Sequence, residues 1–185
     1  MNHKGTTIIE TERLILRPFT MADADPMYRN WASDPEVTKY LTWPTHSSME
    51  VSEKVLESWC PLNEDMENYQ WAIVLKEINE PIGSIAVVKL NNDVESADIG
   101  YCMGRNWWGQ DIMPEALKAI IDFLFNEVGF NRIAAAHDVN NPKSGRVMQK
   151  AGMTYEGTWR AAGRNNIGRV DEAWYSILKD EYRQV

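Results

Sequence analysis

The sequence has few cysteines and histidines, and it contains no long hydrophobic run. Its 185 residues include three histidines and two cysteines, Cys60 and Cys102. These numbers are too small for a disulfide framework, and the residues lack the spacing of metal ligands. No apolar stretch approaches the ~18–20 residues that a membrane span needs. We therefore expect no metal, no membrane partner and two reduced thiols.

The residues from Met1 to Thr7 contain no hydrophobic stretch of the kind found in a secretion signal. We therefore expect a cytoplasmic protein.

Positively charged residues are fewer than negatively charged ones. The chain carries 19 basic and 27 acidic residues, which gives a net charge of −8. Such a surface repels nucleic-acid phosphates and suits a cationic substrate such as an amine, although an acidic surface also serves solubility alone.

The pattern of hydrophobic and capping residues predicts one α/β domain over residues 1–185, since neither repeats nor linkers divide the chain. The alternating pattern of Thr11–Phe19 predicts a first strand. Thr20 is typical of a helix N-cap. Ser47, with Glu50 three residues later, forms the capping-box pattern of a second helix.

The middle of the chain predicts three strands followed by a long helix. Tyr69–Lys76, Pro81–Leu90 and Ala97–Met103 are rich in β-branched and aromatic residues, and the short connections between them favour an antiparallel meander. Apolar residues then recur at helical spacing from Ile112 to Val128, and Gly129 is expected to end this helix as a left-handed cap.

The last third of the chain predicts a strand at Arg132–Asp138, a helix, and two closing strands at Met153–Arg160 and Val170–Leu178. The helix begins with Asn141 as N-cap and a proline at its first position. The crossover through residues 97–138 requires one parallel pair in an otherwise antiparallel sheet. The expected order is β-α-α-β-β-β-α-β-α-β-β, a mixed sheet of about seven strands flanked by about four helices.

The segment from Gly104 to Glu115 joins the third meander strand to the long helix within a few residues. Free amides and the dipole at a helix start form an anion site, and Gly109 lets the backbone approach a phosphate closely. Arg105 adds a positive charge. The loop therefore favours a phosphate-bearing ligand, although two glycines are also typical of an ordinary turn.

Three stretches resemble the GNAT N-acetyltransferases, and in particular the RimJ/RimL-type branch that acetylates N-terminal amines of ribosomal proteins. Residues 11–20, TERLILRPFT, resemble the opening strand of that branch. The other two stretches are residues 97–117, ADIGYCMGRNWWGQDIMPEAL, and residues 131–160, NRIAAAHDVNNPKSGRVMQKAGMTYEGTWR. The expected order of strands and helices is also that of the family.

The pyrophosphate loop of the family reads Gln/Arg-x-x-Gly-x-Gly/Ala. Gly109 matches this pattern, whereas Asn106 and Asp111 depart from it. An ionised carboxylate beside a diphosphate is repulsive, whereas Asp111 as the N-cap of the long helix contributes ~0.5–2 kcal/mol. We expect Asp111 to point away from the phosphates, because the main chain makes the contacts in this loop.

The resemblance implies that acetyl-CoA is the co-substrate, that no metal takes part, and that the acceptor amine attacks the thioester directly. The strand from Asp98 to Met103 would hold the pantetheine arm, and a main-chain N–H near Cys102 or Met103 would polarise the thioester carbonyl. The implied cofactor contacts are Tyr101, Cys102, Met103, Arg105, Trp108, Gly109, Gln110, Asp111, Ile112, Met113, Asn141 and Lys143.

The resemblance also implies a donor for the leaving thiolate and a base for the amine proton. Ser144 matches the Asn-x-x-Ser of the branch and lies where the helix dipole favours an anion, although serine is also common at helix starts. Asp98 is the expected base, with Glu156 and His137 as alternatives, and each of these also has an ordinary structural explanation. Cys102 is not expected to be a nucleophile, because no partner is near it in sequence.

The expected function is acetyl transfer from acetyl-CoA to a primary amine, namely a protein N-terminal α-amine, in a ternary complex. The alternatives are the same chemistry on a polyamine, an antibiotic or an amino-acid conjugate, and a non-catalytic acyl-CoA-binding module. A nucleotide-binding protein is disfavoured, because the loop lacks Gly-Lys-Ser/Thr. We expect the early helices, the Trp43–His46 loop and the Gly163–Gly168 turn to shape the acceptor pocket. The sequence leaves open the acceptor and the choice between monomer and homodimer.

Overall fold

The computed structural model describes residues 1–182 and is organised around one sheet. Within that range the strands are β1 (Ile9–Glu10), β2 (Leu14–Pro18), β3 (Gln70–Leu75), β4 (Glu80–Asn91), β5 (Ser96–Met103), β6 (Arg132–Asp138), β7 (Thr154–Asn165) and β8 (Gly168–Leu178). Their order across the sheet is β1-β2-β3-β4-β5-β6-β8-β7. Only β5 and β6 are parallel among these pairs, which confirms the predicted parallel pair.

Six α-helical segments accompany the sheet in the same part of the chain. They are α1 (Ala24–Met27), α2 (Pro35–Thr38), α3 (Met49–Trp59), α4 (Ile112–Phe123), α5 (Pro142–Lys150) and α6 (Lys179–Tyr182). A π-helical turn at Leu124–Val128 extends α4 to Gly129, which adopts φ +98° as predicted for a left-handed cap. None of the helices in residues 1–182 is both long enough and apolar enough to cross a bilayer.

The structure departs from the predicted elements mainly before residue 60. β1 was not predicted, because a two-residue strand shows no alternation. The helix expected after Thr20 is split into short turns, and Asp34 caps a separate helix that has Pro35 at its first position. Helix α3 has Ser48 rather than the predicted Ser47 as its N-cap residue.

Two hydrophobic clusters lie on opposite faces of the sheet, because successive strand residues point to opposite sides. Trp71 and Ile73 of β3 belong to the cluster that packs against α4 and α5. Ala72 and Val74 of the same strand belong to the cluster with the early helices. Trp31 is 1% exposed and belongs to this second cluster, so it is a core residue.

The parallel pair β5–β6 is short, and this positions the candidate site. The pairing runs from Ser96 and Arg132 to Asp98 and Ala134, where it ends. Strand β5 nevertheless continues to Met103, and β6 continues beside β8 to Asp138. A gap therefore opens between residues 99–103 of β5 and residues 135–138 of β6, and both strands lead from it into a helix.

Candidate active site

The loop between β5 and α4 presents open backbone next to the start of a helix. Gly109 adopts φ +77°, a conformation that glycine tolerates best. A methyl group added at Gly109 would meet nothing within 4 Å among the described residues, so the backbone is accessible there. Trp108 fixes the loop to the strand, since its indole Nε1 donates to the carbonyl of Met103 at 2.8 Å. This arrangement suits an anion in contact with main-chain amides.

Asp111 precedes α4 but does not behave as a side-chain cap. It occupies the N-cap position with φ +57°, in the left-handed region. Its carboxylate turns to the ammonium group of Lys150 on α5 instead of the helix amides. Lys150 lowers the pKa of the exposed Asp111 carboxyl, so this carboxylate stays charged. The negative charge expected to oppose a diphosphate is therefore paired with a lysine.

The two cations expected near the cofactor are both engaged with neighbouring side chains. Arg105 places its Nε 3.0 Å from Oδ2 of Asp34, and this contact ties the loop to the early helices. Lys143, in the first turn of α5, places its ammonium nitrogen 4.8 Å from the centroid of the Trp108 ring. This cation–π contact connects the elements that follow β5 and β6 at the open end of the gap.

Ser144 contacts the tyrosine of β5 on the side of the sheet that packs against α5. The Tyr101 hydroxyl lies 3.0 Å from Ser144 Oγ, and it donates to the Ser144 carbonyl at 2.9 Å. Ser144 is in the first turn of α5, and its N–H donates to the carbonyl of Asn141 at 3.1 Å. In the part of the chain that the structure describes, the Asn141 side chain makes no capping bond, so the cap position was predicted but not its hydrogen bond.

Asp98 is half-buried at the closed end of the gap, opposite Lys89 of β4 and Ala134 of β6. Burial raises the pKa of its carboxyl, while Lys89 and Arg132 partly offset this effect. Because strand residues alternate, Asp98 faces the side of the sheet opposite to Tyr101. Asp98 and Ser144 therefore approach the gap from different sides.

The other base candidates are held by structural contacts. Glu156 accepts two hydrogen bonds from Arg132, at 2.7 and 2.6 Å, and Arg132 lowers the pKa of this carboxyl. His137 has its Nδ1 2.7 Å from the carbonyl oxygen of Asp138. Its ring lies against Gly145 of α5, where an added methyl group would be 2.5 Å from Nε2. Both residues therefore support the sheet and its helix.

Cys102 is buried between β4 and the early helices. Its Sγ lies 3.4 Å from the Ser84 hydroxyl, and burial raises the pKa of the thiol. A neutral thiol paired with a serine is a poor nucleophile. This environment agrees with the expectation that Cys102 does not attack the substrate.

The β7–β8 turn reaches the segment that follows α2. Asn166 donates through its Nδ2 to the carbonyls of Thr38, at 2.9 Å, and Trp43, at 2.7 Å. Its N–H donates to the carbonyl of Leu41 at 3.1 Å. Two of the segments expected to shape the acceptor pocket therefore meet.

Two acidic residues are register partners in strands β6 and β8. Asp138 at the end of β6 stands opposite Glu172 of β8. Asp138 is 6% exposed and accepts a hydrogen bond from Asn165 at 2.8 Å. The sequence alone does not predict this pair, because only the β6–β8 register brings the two residues together.

Comparison with known proteins identifies the family. Residues 13–154 match the sequence model of the acetyltransferase (GNAT) domain. The chain belongs to the GNAT acetyltransferases. This GNAT protein is therefore an acetyl-CoA-dependent N-acetyltransferase, as the resemblance implied.

Individual GNAT proteins resemble the chain over nearly its whole length. It is 31% identical over 172 residues to the uncharacterised N-acetyltransferase p20 of Bacillus licheniformis, which covers 93% of this chain and 96% of p20. It is 25% identical over 176 residues to the ribosomal-protein-serine acetyltransferase of Escherichia coli (strain K12), covering 94% and 97%. A crystal structure of a GNAT acetyltransferase from Bacillus anthracis matches with a TM-score of 0.82 and 26% identity, covering 95% and 100%. The predicted family and fold are thus confirmed, and a relative of the predicted branch is among the matches.

Proposed function

We propose that this GNAT protein acetylates a primary amine, with a protein N-terminal α-amine as the acceptor, by direct attack in a ternary complex. The observation that carries the proposal is the gap between β5 and β6, with Gly109 and the start of α4 outside its open end and Ser144 at its side. An extended arm fits between two diverging strands, and a diphosphate fits the open backbone of the loop. The Asp111–Lys150 pair offsets the electrostatic conflict expected between Asp111 and the diphosphate.

The proposed cofactor site uses main-chain groups more than charged side chains. Residues 99–103 would bind the pantetheine arm as an added strand binds, while the loop amides meet the diphosphate. Bound acetyl-CoA supplies the activated acetyl thioester. The residues proposed to line this site are Tyr101, Cys102, Met103, Arg105, Trp108, Gly109, Gln110, Asp111, Ile112, Met113, Asn141 and Lys143.

The proposed reaction forms a C–N bond and breaks a C–S bond. The amine nitrogen attacks the acetyl carbon, and the electron pair of the broken bond stays on sulfur. The ammonium substrate loses one proton before attack and a second as the amide forms, and the CoA sulfur takes up one proton. Net, one proton is released. Catalysis therefore needs a base on the amine side and a donor on the sulfur side.

We assign the base to Asp98 and the donor to Ser144. Burial raises the pKa of Asp98, which makes its carboxylate a stronger base than an exposed one. The hydroxyl of Ser144 lies in the first turn of α5, where the helix dipole stabilises an anion such as a thiolate. Because Asp98 and Ser144 lie on opposite sides of the sheet, amine and thiol would occupy opposite sides of the thioester.

The acceptor side favours a cation. Asp138 and Glu172 are register partners in β6 and β8, and Asp138 accepts a hydrogen bond from Asn165, the neighbour of Asn166 in the chain. The net charge of −8 has the same effect at longer range. The E. coli relative named as a ribosomal-protein-serine acetyltransferase supports a protein as the acceptor, and the family resemblance implies its N-terminal α-amine. A small polyamine is the second candidate, because the same charges attract it.

An acceptor screen tests this proposal. Thioester consumption is measured with peptides that carry a free N-terminus, with the same peptides blocked at the N-terminus, and with polyamines and amine-bearing antibiotics. We expect turnover with the free peptides and loss of turnover with the blocked ones. Faster turnover with polyamines than with every peptide would assign the second candidate instead.

We also propose a domain organisation and a cellular location for the chain. We propose that residues 1–185 form one acetyltransferase domain. Cys60 and Cys102 are free thiols in the described structure, which supports a cytoplasmic location. Sedimentation of the purified protein would distinguish a monomer from a homodimer.

A further inference from the structure

The contact between Tyr101 and Ser144 crosses from strand to helix at the gap. Tyr101 lies on β5 three positions beyond Asp98, the last β5 residue paired with β6. Ser144 lies in the first turn of α5, the helix that follows β6. The phenol oxygen is 3.0 Å from Ser144 Oγ and 2.9 Å from the Ser144 carbonyl oxygen. One tyrosine thus contacts both the side chain and the main chain of the proposed thiolate donor.

We propose that Tyr101 is a positioning residue, whose hydroxyl fixes Ser144 Oγ beside the gap so that the serine proton can turn to the leaving thiolate. This inference rests on the role of Ser144 in the proposed function. A serine side chain has three staggered χ1 positions, and its hydroxyl proton rotates freely. A hydrogen bond to Oγ selects one position of the oxygen and leaves the proton free to choose its acceptor.

The hydroxyl protons of Tyr101 and Ser144 can satisfy the hydrogen bonds needed both before and during the reaction. Before the reaction, Tyr101 donates to the Ser144 carbonyl, and Ser144 donates to the tyrosine oxygen. When negative charge develops on sulfur, the serine proton turns to sulfur and the tyrosine proton turns to Ser144 Oγ. Each hydrogen bond then polarises the next, which strengthens donation to the thiolate. Both protons stay on oxygen in this step. The departing CoA thiolate then takes its proton from solvent, and the resting hydrogen bonds form again.

The surroundings of Tyr101 favour a neutral donor. Desolvation raises the pKa of its phenol, and Ser144 offsets this effect only in part. The buried phenol therefore favours its protonated form, which can donate a hydrogen bond. This role differs from the cofactor contact that the family resemblance implied for Tyr101.

The test is a double-mutant cycle with Tyr101→Phe and Ser144→Ala. Tyr101→Phe keeps the ring in the core, so it should fold. We expect kcat to fall by roughly 10–100-fold, the range expected for a misplaced reacting group, with little change in the KM for acetyl-CoA. Tyr101→Phe should have no further effect in the Ser144→Ala background, because its action passes through Ser144.

Tyr175→Phe is the matched control. It removes a hydroxyl from the same hydrophobic cluster, where Tyr175 accepts a hydrogen bond from Gln149 rather than from Ser144. We expect its kcat to stay near wild type. An equal loss of kcat in Tyr175→Phe and Tyr101→Phe would overturn the proposal, as would additive losses in the double mutant, which would mean that Tyr101 acts directly.

A measurement without turnover separates this inference from the proposed function. Vicinal couplings of the Ser144 β-protons report its χ1 angle by nuclear magnetic resonance. We expect one rotamer in the wild type and in Tyr175→Phe, and averaged couplings in Tyr101→Phe. Unchanged couplings in Tyr101→Phe would overturn the positioning role even if the enzyme acetylates every amine tested. Averaged couplings would support it even if the acceptor screen fails.

Discussion

The carboxylate of Asp111 forms an ion pair with the ammonium group of Lys150 and leaves the amides of α4 uncapped by this side chain in the described structure. The two residues lie on different elements, the loop before α4 and the C-terminal end of α5. Both side chains are more than half exposed, so the pair adds little to stability. Its effect is electrostatic, because the positive charge of Lys150 neutralises a carboxylate beside the proposed diphosphate site.

Asp111→Gly should tighten acetyl-CoA binding. The change removes a negative charge and frees the ammonium group of Lys150. It also relieves backbone strain, because glycine adopts the left-handed conformation of position 111 freely. We expect the Kd to fall by about 3–10-fold, which corresponds to about 1 kcal/mol. Lys150→Gln should act in the opposite direction, because it leaves Asp111 unpaired. Calorimetry on both variants checks this, and weaker binding in Asp111→Gly would mean that Asp111 organises the loop.

Gly109→Asp should weaken acetyl-CoA binding strongly without unfolding the protein. The site has room for a side chain, but the new carboxylate would lie where the backbone meets a diphosphate. Gly109→Asn is the matched control, because asparagine has the same shape without the charge and tolerates positive φ. We expect Gly109→Asp to raise the Kd at least about 10-fold above that of Gly109→Asn. Equal affinities in the two variants would remove the loop from the anion site.

Ser144→Ala should lower kcat by ~10²–10⁴-fold, the usual range for a positioned proton donor. The Kd for acetyl-CoA should change little, because a donor used mainly in the transition state contributes little to ground-state binding. Ser144→Cys should retain part of the rate, since a thiol can also donate. Single-turnover rates and calorimetry measure both quantities. A wild-type rate in Ser144→Ala would leave serine with only a structural role at the start of α5.

Asp98→Asn should lower activity near neutral pH, and the activity should recover as the pH rises. The variant lacks the base, so turnover depends on amine that has already lost its proton. Glu156→Gln is the control, because the Arg132 contact keeps this carboxylate ionised and engaged. We expect it to lose stability but to keep the wild-type pH profile. Parallel profiles for Asp98→Asn and wild type would exclude Asp98 as the base.

Asp98→Asn should lower activity at neutral pH but raise the stability of the fold. Burial raises the folded-state pKa of this carboxyl, so the folded protein binds its proton more tightly than the unfolded chain does. The group therefore favours folding below its unfolded pKa, and this contribution is lost as the pH rises through the folded pKa. Asp98→Asn should raise the Tm at pH 7. The gain in the free energy of unfolding should be less than about 1 kcal/mol, because water screens a half-buried side chain. The difference should shrink in acid.

The sequence predicted those elements whose physical signals are local. Arg132–Asp138 has the predicted bounds, Gly129 caps its helix, and the crossover required the parallel pair that is observed. The misplaced cap of α3 has a local cause too, since Ser47 and Ser48 are both typical N-cap residues.

The side-chain contacts inside the candidate site could not be predicted from neighbouring residues in the sequence. Tyr101 and Ser144 are 43 residues apart, and Asp111 and Lys150 are 39 apart. Hydrophobic periodicity assigns a residue to a face, but it does not determine which side chains meet when two elements pack. The spacing of residues around Gly109 therefore favoured an anion site, while the partners of its charged neighbours had to come from the structure.

At the proposed site, the short pairing of β5 with β6 would make the acetyl donor a structural component of the protein. Three residue pairs join the two parts of the sheet, and a pantetheine arm bound between the diverging strands would add hydrogen bonds of its own. A ligand that binds only the folded state stabilises it by RT ln(1 + [L]/Kd). Amide hydrogen exchange along residues 99–103 should therefore slow as acetyl-CoA is added, and the resistance of the fold to proteolysis becomes a function of the acetyl-CoA concentration around it.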